Sequence, residues 1–332
     1  MKDLNSIIDN AKKTEKSGSY FSAAIYYKEG LKNAIRKNDS KNIKYCRKKT
    51  VEMNKKSIDS GKDFQTIESE AKLSQEEQMR LKKLIESIVK LEDVNKILKI
   101  IGKNPYFCPD VDEVEKQSKD SIPLFSILGA STTISSNGHI LRGGSNAQYS
   151  WFAEMYRISQ GIIMSLYLNR IFYMLIKDKK ITTKSLPKYF SDSKLFNENQ
   201  LKIITLGLKH YLKEDYISAL HVLIPQFEAF LLSIAQQFKI EIVAHDKKGD
   251  DISTRTITLS ETHLDMESFH KVFGKNYCRQ VKFILFEQIG YKLRHKIAHG
   301  DIDVRECNFQ NTSLILYLYL YLLARFRVKQ IV

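Results

Sequence analysis

Chain breakers are scarce in this sequence. Only 14 Gly and 5 Pro occur among 332 residues, so long stretches hold nothing that would stop a helix. Lys, Leu, Ile and Glu are abundant, and 43% of residues are hydrophobic while 27% are charged. That balance predicts a globular, mainly α protein, long enough for more than one domain.

Hydrophobic periodicity divides the chain into three stretches. Residues 1–101 read as an N-terminal helical domain. Tyr20, Ala23, Ala24, Tyr27 and Leu31 share one face there, and the small alanines admit a second helix around Ile43 to Met53. This resembles one tetratricopeptide-like hairpin, and a protein partner is expected at this domain; the pattern does not recur at a fixed period. Residues 102–150 read as an irregular linker opened by Pro105 and Pro109. It contains a β-hairpin over Thr132 to Leu141 with Asn137-Gly138 at its tip, followed by a Gly143-Gly144 turn. Residues 151–332 read as a helical bundle. Its expected helices span Phe152 to Leu175, Glu198 to Leu212, Asp215 to Phe238 with a kink at Pro225, Tyr277 to Ala298, and Asn311 to Arg327. Ile240 to Ala244 and Thr254 to Leu259 predict a second hairpin with Asp246 to Asp251 as its loop.

A formal charge of +15 speaks about partners, and a polyphosphate such as RNA is the simplest. The charge is densest between Lys32 and Lys49, where eight cations face only Asp39. Cys46, Cys108, Cys278 and Cys307 form no CxxC pair, which fits a reducing cytoplasm rather than a disulfide or zinc framework. The N-terminus has no signal-peptide core. Ile162 to Ile176 is interrupted by Asn169 and Arg170, and Leu314 to Ala324 falls short of the roughly 20 residues that a span needs. Both are expected as core helices, with no membrane segment. Tyr317, Tyr319 and Tyr321 alternate along the last helix and are expected to divide between the core and a dimer contact.

Chemistry concentrates in Gln288 to Asp301. On an ideal helix Arg294 and His299 stand about 140° apart, so they converge only where the helix ends, and Gly300 is suited to the left-handed position past a helix C-terminus. The expectation is one guanidinium and one imidazole brought together over a solvent-reachable pocket. His299 would sit at the negative helix end, two residues before Asp301, a setting for acid–base work.

The segment Leu293 to Gly300 resembles the Arg-x4–6-His signature of the HEPN superfamily (higher eukaryote and prokaryote nucleotide-binding), with an apolar helix following it. Ala219 to Glu228 is similar to an uncharacterised-domain family related to endoplasmic-reticulum-membrane-associated RNA degradation proteins. The resemblance spans roughly residues 105 to 327. It implies a dimeric, metal-independent endoribonuclease, without cofactor, with a role in phage defence or as a toxin. The 2′-hydroxyl would attack the adjacent phosphate to give a 2′,3′-cyclic phosphate. His299 would move the proton, Arg294 would clamp phosphate oxygens, and His295 would be a second acid–base partner. Lys292 and Lys296 would hold flanking phosphates, and Glu228 would support Arg294. His295 stands where the family more often has Asn.

Other readings compete with this one. His295 and His299 have a zinc-binding spacing, but Lys296 occupies the place of the Glu of a zinc protease and no third ligand is near in sequence. A HEPN-like module that binds RNA or protein without catalysis, and a helical scaffold, are the alternatives. His139, His221 and His270 have no partner spacing and receive no role.

Overall fold

A computed structural model of the chain describes residues 3–63, 74–121, 131–134, 137–144, 147–248 and 251–326. The protein is mainly α, with two separate two-stranded antiparallel sheets among the described residues. It packs as two compact units.

The first unit takes α1 (Leu4–Lys16), α2 (Tyr20–Arg36), α3 (Ser40–Ser60) and the hairpin β1–β2 (Ser131–Ile134, Ile140–Gly144). Its core joins Leu4, Ile8 and Ala11 to Ala23, Tyr27, Cys46 and Met53. α2 packs against both α1 and α3. Ala23 and Ala24 are buried on α2 where α1 and α3 close in. The Asn137-Gly138 signal does mark the hairpin tip, and Gly138 adopts φ 81°. A Cβ on Gly138 would lie 2.4 Å from the Val51 carbonyl oxygen, and the Gly138 carbonyl accepts a 2.9 Å bond from buried Asn54. The tip is therefore seated on α3. Gly143 and Gly144 do not form a turn; they pair with Thr132 and Ser131 as strand residues. A one-residue slip, with Thr133 opposite Arg142 and Ile134 opposite Ile140, accommodates Leu141.

The second unit takes α4 (Gln75–Val89), α5 (Val94–Lys103), α6 (Val111–Asp120) and all elements after Trp151. The division at Ile101 expected from sequence is thus not where the chain packs: α4 and α5 join the larger core. Ile97, Leu98 and Ile101 pack in one cluster with Leu168, Phe227 and Leu320. Gly102 shows how closely they approach, since a Cβ there would lie 2.1 Å from the Leu320 carbonyl oxygen.

The next expected helix is a continuous helical run: α7 (Ala147–Ile162), a π-helical segment (Ile163–Leu168) and α8 (Asn169–Lys177). After α9 (Ser185–Asp192), α10 (Glu198–Leu212) starts on an Asn197–Gln200 capping box, and α11 (Tyr216–Gln237) runs through Pro225 as one helix. The second hairpin is longer than its alternation suggested. β3 (Val243–Lys248) and β4 (Asp251–Thr256) carry the pairing through Asp246, Lys247 and Lys248, so these residues of the expected loop are part of the strands.

Short helices α12 (Glu261–Leu264) and α13 (Glu267–Phe273) lead to α14 (Lys275–Leu285), α15 (Leu293–His299) and α16 (Phe309–Arg325). α16 is buried on all sides from Thr312 to Ala324, as a helix apolar around its circumference must be. Tyr317, Tyr319 and Tyr321 all lie in that core, contrary to the expected division. Tyr319 donates to the Leu223 carbonyl at 2.8 Å and Tyr321 to the Phe273 carbonyl at 3.0 Å. Among the described residues one helix, α11, is long and apolar enough to cross a membrane. Its Leu223, Phe227 and Phe230 are buried in the same core.

Candidate functional site

The single helix expected over Tyr277 to Ala298 is two helices with a reversal between them, and that reversal builds the site. α14 stops at Leu285 because the chain folds back on its own last turn. The Glu287 N–H donates to the Lys282 carbonyl at 2.9 Å, and the Tyr291 N–H to the Phe283 carbonyl at 3.0 Å. Only glycine fits at position 290, where a Cβ would stand 1.9 Å from the Phe283 carbonyl oxygen. Lys292 then adopts φ 55°, and α15 starts in a new direction. Buried Glu287 meets Arg279 of α14 at 2.7 Å, which ties the reversal to the helix it left.

α15 has seven residues and closes as the motif required. Gly300 is left-handed at φ 69°; its N–H donates to the Ile297 carbonyl at 3.2 Å and the Asp301 N–H to the Lys296 carbonyl at 2.7 Å. These two bonds are the Schellman pattern. The helix is unbroken from Leu293 to His299, however, so the turn at Gly300 comes too late to swing His299 toward Arg294. Within one chain those two positions keep the roughly 140° separation of an ideal helix. The convergence expected of them is not what this segment forms.

Each of the six sequence-chosen residues can be placed. Arg294 is half-buried and turns toward α11, where its Nε donates to Glu228 Oε2 at 3.2 Å. Glu228 Oε1 accepts the Leu259 N–H at 2.9 Å, so both carboxylate oxygens are engaged. The Arg294 guanidinium carbon lies 6.0 Å from the Phe286 ring centre. His295 meets the same ring edge-on, with centroids 6.1 Å apart. His295 and His299, one turn apart, face each other with ring centroids 6.0 Å apart and planes inclined by 24°. His299 is exposed and His295 half-buried. Burial, then the positive charges of Lys292, Arg294 and His299, push the His295 pKa below the usual imidazole range, with Glu228 opposing them.

Lys296 is held by Glu306, which also accepts the Asp303 N–H at 3.2 Å. Asp303 and Glu306 form a capping box on the 3₁₀ turn Val304–Glu306. Arg305 donates to Asp303 at 3.0 and 2.7 Å, and that pairing holds the Asp303 carboxyl well below the usual carboxylate range. Lys292 completes the set at the head of the helix. Sequence reasoning missed Phe286, Leu259 and Glu306. Only Glu306 left a readable signal, the Asp-x-x-Glu spacing of its capping box.

The arrangement offers two imidazoles on one helical face, one of them shifted toward the neutral form, beside a guanidinium fixed in orientation. Among the described residues no group of three or more His, Cys, Asp or Glu side chains is placed to hold a metal ion. Comparison with protein-family models, with curated proteins and with solved structures finds no match.

Proposed function

We propose that the α15 segment is the active site of a metal-independent, HEPN-type endoribonuclease. The observation that carries this reading is the pair of facing imidazoles of His295 and His299, with ring centroids 6.0 Å apart. Cleavage of RNA by its own 2′-hydroxyl needs one group to accept a proton and another to give one, on opposite sides of a phosphorus atom. His295, favoured in its neutral form, accepts the proton of the 2′-hydroxyl as the O2′–P bond forms. His299 gives a proton to the 5′ oxygen as the P–O5′ bond breaks. The products are a 2′,3′-cyclic phosphate and a 5′-hydroxyl. Arg294 stabilises the charge that develops on the nonbridging oxygens, while Lys292 and Lys296 hold flanking phosphates.

Because Arg294 and His299 stand on different sides of α15, this reading pairs Arg294 of one copy with His299 of another across a homodimer, as the HEPN resemblance implies. The test is incubation of the purified protein with RNA in chelator, followed by end-group analysis. Cyclic-phosphate ends should accumulate, and His299→Ala should lower their rate by about 10²–10⁴ with unchanged circular dichroism. Intact RNA, or cleavage that persists in the variant, overturns the proposal.

A second reading, a HEPN-like module that binds RNA or protein without catalysis, is favoured over cleavage by one observation. Arg294 and Lys296, the cations meant for phosphate, are already paired with Glu228 and Glu306 in the same chain.

A further inference from the structure

We propose that a groove on the first unit, along the outer face of α2, binds single-stranded nucleic acid. One base lodges between α2 and the β1–β2 hairpin, and neighbouring phosphates rest on Lys28, Lys32 and Arg36.

Phe21, Ile25, Lys28 and Lys32 recur at helical spacing and form a stripe opposite the buried Ala23, Tyr27, Gly30 and Ala34. The stripe is apolar at its N-terminal end and cationic at its C-terminal end, and Arg36 extends it by one turn. Successive cations therefore rise by about 6 Å along the helix, a stride comparable with that of consecutive phosphates in an extended strand. The far wall is the hairpin, where Ile134 and Ile140 pair directly. The hairpin tip is seated on α3 at Gly138, where its carbonyl accepts a 2.9 Å bond from Asn54. The half-open cavity is ≈ 420 Å³, within the range of small-ligand sites.

Ile25 is 51% exposed at the mouth, an apolar surface that a base ring would cover. Glu29, the one acid among the residues lining this cavity, offers an acceptor to an exocyclic amine. Burial, then the charge of Lys32, push the Lys28 amine below the usual lysine range. A phosphate between the two amines relieves that crowding. Bases within a duplex are stacked and paired and cannot enter such a cavity, so the groove selects single strands. These arguments rest on the first unit alone and stand whether or not α15 cleaves RNA.

The experiment is fluorescence anisotropy of the full-length protein with a labelled 2′-O-methyl oligouridylate of about ten nucleotides, a length typical of single-strand sites. The 2′-O-methyl groups prevent any cleavage. Lys32→Ala and Arg36→Ala should each weaken binding about three- to tenfold and lower the salt slope by about one. Ile25→Asp should weaken it about tenfold, and Lys32→Arg should retain it. Lys41→Ala and Lys44→Ala, at exposed positions on α3, should change it less than about twofold. Wild-type affinity in the groove variants, equal weakening by the α3 variants, or equal affinity for a duplex of the same sequence overturns the proposal.

Discussion

Glu228 on α11 and Arg294 on α15 form an ion pair at 3.2 Å whose carboxylate also caps the Leu259 N–H at 2.9 Å. The side chains are 15% and 23% exposed, so solvent screens them less than a surface pair. Glu228→Ala should destabilise the second unit by about 2 kcal/mol in urea unfolding, because it leaves a half-buried guanidinium and a backbone donor without acceptors. Glu228→Gln preserves an acceptor for Leu259 and should recover part of that loss. If the Gln variant is no more stable than the Ala variant, the carboxylate's double engagement is not what stabilises the fold.

His295 should set the acid limb of the cleavage profile. Its pKa is depressed by burial and then by Lys292, Arg294 and His299, so as a base it is competent at neutral pH and fails as pH falls through that lowered value. Lys292→Gln removes one of the depressing charges. The acid limb should then move to higher pH, nearer the ordinary histidine value, while the alkaline limb stays. A shift to lower pH would contradict the assignment of His295 as the base.

A site shared between copies makes a separate prediction. Arg294→Ala and His299→Ala proteins should each be inactive, yet mixing them should restore cleavage. One of the two composite sites in a mixed dimer keeps both native side chains. No recovery after co-refolding would exclude sharing.

Lys296 is sequestered by Glu306. Glu306→Gln should free the ammonium and strengthen binding of a 2′-O-methyl RNA about threefold, with a steeper salt dependence. Unchanged affinity would show that Lys296 contacts no phosphate.

Glycines 290 and 300 flank α15 for different reasons, and their alanine variants should separate them. Gly300 is left-handed with open space around its Cβ position, so Gly300→Ala should cost about 1–2 kcal/mol. At Gly290 a methyl group would collide with backbone at 1.9 Å. Gly290→Ala should cost more than Gly300→Ala, by thermal unfolding, because the reversal after α14 must open.

Much of the fold was legible because its signals are local. The Asn137-Gly138 tip, the start of α10 at Asn197 and the left-handed Gly300 each depend on a few adjacent residues. The domain division was not legible, since nothing within α5 says that Gly102 will press on Leu320, over two hundred residues away. The helix ending at Leu285 was missed for a related reason. Tyr277 to Ala298 has a helix-like pattern, and Gly290 reads as tolerable until its clash with Phe283 is seen. At the site, the one-turn spacing of His295 and His299 gave their shared face directly. The partners of Arg294 and Lys296 come from α11 and from the turn after α15, where tertiary packing decides.

The contact between Gly102 and Leu320 bears on how the second unit is made. On the ribosome, α5 emerges long before α16, and the apolar side it offers to that last helix stays uncovered throughout. Closing so distant a pair is slow, and the uncovered surface is prone to self-association. Chains truncated before Phe309 should therefore accumulate as aggregates, and the final helix acts as the keystone of the larger unit.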